Sequence, residues 1–409
     1  MFNRDRWQEI FETIRKNKLR TFLSGFTVAL GIFIFIILFG FGNGLKNTFQ
    51  EFFLEDATNT ISFSPGKTSI PYDGFKSNRQ IEFKNDDITD IKEQFPFFLE
   101  YITPRISRTA VVKYKNEFDN YSTRGVGPAH QFAEKTILMK GRYINESDVA
   151  NKTKYAVIGR LVARDLFKQE NPLGKFIDIG NSVFKVIGVF QDDGGDREER
   201  YIYIPYTTRQ LLEKSNDKVD QIILAFKPQI GHSGSLVFER KLREFFKNKK
   251  SIAPEDPNGI RIRNRADQLK QNQQFANVLQ LIVTFVGLGT LIAGIIGISN
   301  IMVFVVKERT KELGIRKALG ATPKSIIQMI LQESIFITTL SGIIGMLIGV
   351  FVLKSIGVIL KDYFIKNPYI NTSTALFATL ILIIFGGIAG YIPAKRAARI
   401  KPIVALRDE

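Results

Sequence analysis

The sequence predicts a membrane protein with four transmembrane α-helices, arranged as one plus three, and a large mixed α+β extracytoplasmic domain between helices 1 and 2. Each predicted helix has ~17 or more largely uncharged residues, enough to cross a hydrocarbon core of ~30 Å. Roughly 200 residues with alternating strand and helix signals separate the first two, ample for a separate core. The apolar blocks are Phe22–Phe41, Val278–Val306, Ile326–Val352 and Ala375–Ile392.

Charge placement predicts the orientation of the chain. The 409 residues carry a net charge of +17 and no cysteine. Lys and Arg cluster in the N-terminal segment, between the second and third blocks, and in the tail, which share one side if the blocks span alternately. The positive-inside rule places that side, with both termini, in the cytoplasm of a multi-pass inner-membrane protein. Nucleic-acid binding, the other interpretation of a basic chain, is disfavoured because the charge follows the topology.

The segments are assigned in chain order from these signals. Trp7, Ile10 and Ile14 lie at helical spacing and predict an interfacial helix. The first block is longer than a signal-peptide core and is therefore interpreted as a retained anchor. The assignments are a cytoplasmic amphipathic helix at 1–20, transmembrane helix 1 at 21–42, stalks and periplasmic core domain at 43–274, transmembrane helix 2 at 275–306, a cytoplasmic coupling hairpin at 307–325, transmembrane helix 3 at 326–355, a short periplasmic loop at 356–373, transmembrane helix 4 at 374–394 and a cytoplasmic tail at 395–409.

Two stalks are predicted to continue the first two membrane helices into water. Leu45, Phe49 and Phe52 keep helical spacing beyond the first block. Residues 266–286 contain no Gly or Pro and place a heptad-like seam before and into the second block. A single amphipathic helix packed on its own domain is the alternative. The seam residues are Leu269, Asn272, Ala276, Leu279, Val283 and Val286.

The large domain is predicted to mix strands and helices in two subdomains. Gly180-Asn181 is a favourable hairpin turn. Strands at Glu100–Thr109 and Val111–Tyr114 are followed by a turn predicted over Lys115–Asn120. Interleaved helices, such as Leu161–Phe167, complete the α+β pattern.

Small residues predict where membrane helices approach each other closely. Asn300 lies near the inner end of the second span, where an amide is costly without a partner. It therefore either bonds a neighbouring helix or reaches the interface. The candidate packing residues are Gly294, Gly297, Asn300, Gly345, Gly349, Gly386 and Gly390.

The stretch from Ile295 to Glu333 joins two apolar blocks through a charged hairpin. Gly320 is suited to ending a short helix, Thr322 to capping the next, and Pro323 to its first position. The hairpin is interpreted either as an ordinary cytoplasmic loop or as a rigid hook that contacts another protein.

Catalytic, metal and cofactor sites are not predicted. His130 and His232 are the only histidines, and both are expected in loops. An acidic segment from Asp192 to Glu199 lacks the spacing of a calcium loop and is expected to be a solvated loop. Gly66-Lys67-Thr68 resembles the end of a phosphate-binding loop but lacks its first glycine. An extracellular enzyme is therefore disfavoured.

Several of these motifs resemble one family. Gly297–Met302 (GISNIM), Glu308–Ala321 (ERTKELGIRKALGA) and the tail stretch Pro393–Ala398 (PAKRAA) resemble the permeases of MacB-like ABC transporters. In the large domain, Val157–Arg160 and Asn171–Lys175 are similar to its periplasmic core. The resemblance covers essentially the whole chain.

The resemblance implies a permease that transmits ATP-driven motion to a periplasmic domain, exporting or extracting a peptide, drug or lipoprotein. Partners would be a separate ABC ATPase subunit, a second copy or paralogous permease, a periplasmic adaptor and membrane lipids, without nucleic acid. An FtsX-like signalling subunit that activates a periplasmic hydrolase is the alternative, but that family has a smaller outer domain. The implied ATPase-coupling residues are Glu308, Arg309, Glu312, Gly314, Arg316 and Lys317.

Overall fold

The structure, a computed structural model, describes residues 15, 18–54, 57–192, 195–214, 216–360, 365 and 367–399. Three of the predictions fall outside the described residues. They concern the interfacial helix at the N-terminus, Asp193, and the tail after Arg399. The chain divides into two compact units: Met1–Phe49 with Gln274–Glu409, named the helical unit, and Gln50–Gln273, named the large domain.

Within the described residues, four helices are long and apolar enough to cross a membrane, as predicted. These are α1, α8, α10 and α11, and α8 alone has 44 residues, ~66 Å at 1.5 Å per residue. The predicted extension of the first two beyond their apolar blocks is present in the bounds of α1 and α8. The helices are α1 (Lys18–Leu54), α2 (Asn85–Gln94), α3 (His130–Ala133), α4 (Glu146–Ala150), α5 (Arg160–Phe167), α6 (Tyr206–Leu212), α7 (Gly231–Lys249), α8 (Arg265–Glu308), α9 (Thr310–Ala318), α10 (Pro323–Leu360) and α11 (Thr372–Ala398).

Helices α1 and α10 run parallel and touch along a line of small residues. A Cβ at Gly25 would lie 2.6 Å from Ser341 Oγ, and Gly40, further along α1, meets Leu353, further along α10. Both helices therefore run in the same direction, as the first and third spans must if the spans alternate in direction.

Helix α8 runs antiparallel to α1, and Val283 of the predicted seam meets α1 at Gly42. The rings of Phe49 and Phe275 meet edge to face, with centroids 5.6 Å apart. More than three turns further into the unit, a Cβ at Gly287 would lie 2.8 Å from the ring of Phe35. Val286 was expected on the seam but is exposed, because the helix presents Gly287 to α1 there.

The large domain is built on one mixed sheet in the order β12-β1-β11-β3-β4-β9-β6-β8-β5, with β7 pairing β3 and β8. The pairs β4–β9 and β6–β8 are parallel, and β2 with β10 forms a separate ribbon. The strands are β1 (Thr60–Pro65), β2 (Phe83–Lys84), β3 (Leu99–Tyr114), β4 (Glu117–Val126), β5 (Ile137–Gly141), β6 (Tyr155–Gly159), β7 (Phe176–Ile179), β8 (Val183–Gln191), β9 (Tyr201–Pro205), β10 (Lys218–Val219), β11 (Gln221–Phe226) and β12 (Ile260–Asn264).

Separate hydrophobic cores lie along this sheet in place of the two expected subdomains. One core packs α7 against β1 and β11 around Phe63, Phe238 and Phe246. Another packs α5 against β6, β8 and β9 around Val162 and Phe184. Strand β3 contributes residues to both cores, so the sheet is continuous.

The prediction of two strands in the β3 region was wrong. β3 is a single strand of 16 residues, and Ala110 between the two predicted strands pairs with Tyr121. The turn predicted over Lys115–Asn120 is also too long, because β4 begins at Glu117 and only Lys115 adopts a positive φ of 54°. The exposed first half of β4 is polar, which hides the strand signal in the sequence.

The expectation that both histidines lie in loops was also wrong. His130 begins α3 and His232 lies near the start of α7. His130 is fully buried, and burial lowers its pKa to about 3. Glu134 lies between Arg105 at 2.9 Å and Arg124 at 3.2 Å. Burial of Glu134 raises its pKa, but the charges of His130 and both arginines outweigh it and lower the pKa to about 2.

The acidic segment is only in part the solvated loop that was expected: Asp196 is exposed, but other carboxylates of the segment are buried. Asp192 and Glu199 are buried, and Glu199 Oε1 accepts a hydrogen bond from Arg160 Nε at 3.1 Å. Burial, and then the neighbouring Asp192, raise the pKa of Glu198 to about 7. Among the described residues, no group of three or more His, Cys, Asp or Glu side chains is placed to hold a metal ion.

These shifts predict how the large domain responds to pH. Glu198 keeps its proton in the fold up to about pH 7 but ionises near 4.5 when unfolded, so its contribution to stability falls as pH rises through that window. His130 acts oppositely, losing stability as pH falls from 6.5 to about 3, and Glu134 does so from 4.5 to about 2. Between pH 4.5 and 6.5 the contributions of Glu198 and His130 oppose each other.

Glu198→Gln is therefore expected to make the domain more stable than wild type at pH 8. The free energy of unfolding of this variant should also fall as the pH drops below about 6.5. The loss of stability from His130 is then no longer offset by the gain that Glu198 contributes in wild type. Hydrogen exchange of β8 and β9, measured in the full chain from pH 5 to 8, checks both effects. Glu93→Gln, at an exposed carboxylate, is the control. Equal pH slopes in Glu198→Gln and wild type would contradict the prediction.

Candidate functional site

The charged hairpin between α8 and α10 is folded as a helix and a tight turn. α8 ends at Glu308, α9 spans Thr310–Ala318, and Gly320 adopts a φ of 98°, which favours glycine. Thr322 Oγ1 accepts a hydrogen bond from the Ser325 amide at 3.3 Å, and Pro323 is the first residue of α10. These are the local features that the sequence predicts for this segment.

Arg309 joins the hairpin to the third membrane helix. Its Nη1 lies 3.0 Å from Glu333 Oε2 in α10, with the two side chains only 11% and 8% exposed. Its Nε and Nη2 each lie 3.0 Å from a carboxylate oxygen of Glu312. The hydrogen bonds from Arg309 lower the pKa of Glu312, so that carboxylate is charged at neutral pH. Arg309 therefore bridges α9 and α10.

Two further coupling candidates contact neighbouring helices. Arg316 Nη2 lies 2.9 Å from Glu312 Oε1, and its Nη1 lies 3.2 Å from Met329 Sδ in α10. Lys317 Nζ donates to the carbonyl of Ala398 at 2.8 Å, at the last residue of α11, where helix carbonyls lack intrahelical partners. The charges of α9 thus hold it against α10 and α11.

The opposite face of α9 is exposed and includes apolar residues that sequence reasoning missed. Ile315 is 44% exposed, and Leu319, which directly follows α9 and continues this face, is 84% exposed. Lys311 and Glu308 are exposed on either side, whereas Gly314 is buried. The signal in the sequence was the pair Ile315 and Leu319, which lie four residues apart and therefore on one side of a helix. Leu313 is the apolar side chain of α9 that is buried, so this pair is left at the surface.

The candidate packing glycines lie at helix contacts in the helical unit. Gly345 meets the Ala29 carbonyl of α1, and a Cβ at Gly349 would lie 3.2 Å from Ile36. The other four, Gly294, Gly297, Gly386 and Gly390, face Leu382, Thr27, Ile298 and Ser334 respectively. Asn300 instead lies on the exposed surface of α8.

Gly345→Leu is expected to destabilise the helical unit by ~1–3 kcal/mol, the usual cost of overpacking. Its added side chain would meet backbone of α1, which moves less easily than a side chain. Thermal unfolding in detergent measures the loss. Gly289→Leu is the matched control, because nothing lies within 4 Å of that position. Equal unfolding temperatures for the two variants would refute the contact.

Together, these features define a class of protein: a multi-pass membrane protein whose large domain lies between its first two spans and whose charged hairpin lies between the second and third. The chain belongs to the MacB/FtsX-like family of ABC permeases. The model of the MacB-like periplasmic core domain matches residues 21–231, and that of the FtsX-like permease C-terminal region matches residues 284–402.

Curated relatives are similar over nearly the whole chain. The macrolide export ATP-binding/permease protein MacB of Bdellovibrio bacteriovorus is 28% identical over 414 residues, covering 98% of this chain and 61% of that protein. The protein of the same name from Wolinella succinogenes is 29% identical, covering 98% and 60% respectively. The chain thus spans about 60% of the length of these relatives.

Two solved structures are similar to about half of this chain. The periplasmic region of MacB from Actinobacillus actinomycetemcomitans has 23% identity and a TM-score of 0.44, covering 54% of this chain and 95% of that one. The extracellular domain of the noncanonic ABC-type transporter YknZ from Gram-positive bacteria has 16% identity and a TM-score of 0.42, covering 50% and 100%.

Proposed function

We propose that this permease passes the ATP-driven motion of an ABC ATPase to its large domain, and so exports or extracts a peptide, drug or lipoprotein. The proposal rests on the difference between the two sides of α9. One side is tied to α10 and α11 through Arg309 and Lys317, while the other exposes Ile315 and Leu319. Such a helix is suited to receiving force on its free side and passing it to the helices behind.

The path from α9 to the large domain runs through continuous helix. α9 follows α8 after one residue, Arg309, whose backbone amide still bonds the Val305 carbonyl at 3.1 Å. α8 then extends over 44 residues to Arg265, next to β12. The ATPase must bind α9 differently in its two nucleotide states, since equal binding would shift no equilibrium.

We infer that the hairpin and both termini lie in the cytoplasm, since Lys and Arg cluster on that side. The chain contains no cysteine, so single-cysteine variants report topology without background. In intact cells, a membrane-impermeant maleimide should label Lys175→Cys in the large domain but not Lys311→Cys in the hairpin. Labelling of Lys311→Cys alone would reverse the orientation.

The ATPase partner is proposed to be a separate subunit, and the permease to act as a dimer of two copies or with a paralogue. The names of the relatives combine ATP binding with a permease, which supports the ATPase but not its arrangement. A pull-down of the tagged chain from mild detergent, followed by mass spectrometry, should recover an ABC ATPase and would reveal a paralogue or periplasmic adaptor.

Reconstitution tests the activity itself. Proteoliposomes containing the chain and the recovered ATPase should move or release a lipoprotein, peptide or drug only with hydrolysable ATP. The matched control is the same vesicle with Arg309→Ala in the chain. ATP-dependent activation of a periplasmic hydrolase, without movement of cargo, would overturn the transport proposal in favour of signalling.

A further inference from the structure

An apolar groove of about 630 Å³ runs along the helical unit between α1 and α10. Its floor is the line where the two helices touch, at Gly25 with Ser341 and at Ala29 with Gly345. Its walls are aromatic and aliphatic side chains that are exposed at the surface of the unit. These include Phe22, Phe26, Leu30, Leu340, Ile344 and Ile348.

Among the described residues that line the groove, one is charged, Lys18, and it lies at one end. This is the end at which α10 begins after the hairpin, since α1 and α10 run parallel. Along α1 the groove extends from Lys18 to Phe33, ~22 Å at 1.5 Å per residue. One leaflet accounts for ~15 Å of a ~30 Å hydrocarbon core. The groove therefore has the length of one leaflet plus its headgroup layer, with the ammonium group at headgroup depth.

We propose that this groove binds one anionic phospholipid, with an acyl chain lying between α1 and α10 and its phosphate at Lys18. The stacked rings of Phe22 and Phe26, with centroids 6.1 Å apart, form a continuous apolar wall for the acyl chain. The single cation at the mouth complements a phosphate. The site requires neither the ATPase nor a particular direction of insertion.

The lipid would connect the two helices on either side of the groove. α10 begins at Pro323, directly after the hairpin, and bonds Arg309 through Glu333. A shift of α10 against α1 changes the width of the groove, so the bound acyl chain resists that shift. Lipid occupancy therefore depends on the same helix that receives force from α9.

The test uses the full chain in phosphatidylcholine nanodiscs that contain a trace of phosphatidylglycerol with a photoactivatable group in its acyl chain. Crosslinked peptides, mapped by mass spectrometry, should come from 22–33 of α1 and 336–348 of α10. Lys18→Gln should lower the labelling about fivefold, matching ~1 kcal/mol per cation near a charged surface. Leu340→Trp, which fills the groove, should lower it further.

Two matched variants control for bulk lipid. Lys324→Gln removes an exposed cation at the start of α10, and Leu347→Trp enlarges an exposed residue of α10 that does not line the groove. Neither should change the labelling. Thermal unfolding verifies the fold, and Ile344→Phe replaces Leu340→Trp if that variant does not fold. Equal labelling in all variants, or equal labelling by a phosphatidylcholine probe, would overturn the proposal. An absence of labelled peptides from 22–33 and 336–348, the result expected if a second copy or residues 1–14 fill the groove, would also overturn it.

Discussion

Arg309→Ala is expected to abolish the proposed stimulation of the ATPase and to lower the stability of the helical unit. Arg309 and Glu333 form an ion pair that is almost fully buried. Removing one partner of a buried pair costs ~3–5 kcal/mol, because the remaining charge stays buried without compensation. Thermal unfolding in detergent and the ATPase rate of the reconstituted complex measure the two effects.

The double variant Arg309→Met with Glu333→Met separates stability from force transmission. It leaves no buried charge, so most of the lost stability should return. ATPase stimulation should remain low, because α9 has still lost its bond to α10. Lys311→Ala, at an exposed cation of the same helix, is the matched control and should behave as wild type. An Arg309→Ala chain with wild-type unfolding temperature would show that the pair does not hold α9.

Glu312→Ala should have a smaller effect than Arg309→Ala. Glu312 bonds both Arg309 and Arg316, but its side chain is 42% exposed. Exposed ion pairs contribute ~0–1 kcal/mol because water competes with them. The order of the two variants therefore tests whether the buried bond to α10, rather than the number of ion pairs on α9, determines its position.

The hairpin shows what a sequence reveals and what it conceals. Gly320, Thr322 and Pro323 act on neighbouring backbone, so their spacing alone predicts the turn and the start of α10. The bond from Arg309 to Glu333 joins residues 24 apart in the chain. Sequence spacing gives no indication that these two residues are paired. Glu333 by itself indicates only a charge that is tolerated near the end of an apolar block. The sequence therefore predicts the shape of the hairpin but not which of its charges are engaged.

The large domain shows the same division between local and long-range information. The apolar strands and α5 were predicted because their signal is periodic and local. β4 was not predicted as a strand because its first half is largely polar and is stabilised by pairing with β3. The burial of Glu134 and Glu199 was missed because their arginine partners come from distant segments, and that of His130 because its partner Tyr143 lies in another segment. A polar residue in a sequence does not reveal the partner that makes its burial tolerable.

Leu319→Asp is expected to abolish stimulation of the ATPase while leaving the permease folded. Leu319 is 84% exposed, so the substitution should change the free energy of unfolding by no more than ~0.5 kcal/mol. At an interface, an apolar residue of this kind fits a pocket of its partner, and a buried aspartate there would lack a counter-charge. We expect binding of the ATPase to weaken at least tenfold, by ~1.4 kcal/mol or more.

Ile315→Asp, on the same face, should reproduce this effect, whereas Ser325→Asp, exposed at the first turn of α10, should not.

A further comparison distinguishes between two surfaces of α9 that could bind the ATPase. If the charges of α9 were the contact, reversal of Arg316 or Lys317 would weaken ATPase binding without loss of stability. Their bonds to Met329 and Ala398 predict a lowered unfolding temperature instead. Full ATPase stimulation by Leu319→Asp, with binding lost in a stable Lys317→Glu chain, would place the contact on the charges rather than on the apolar face.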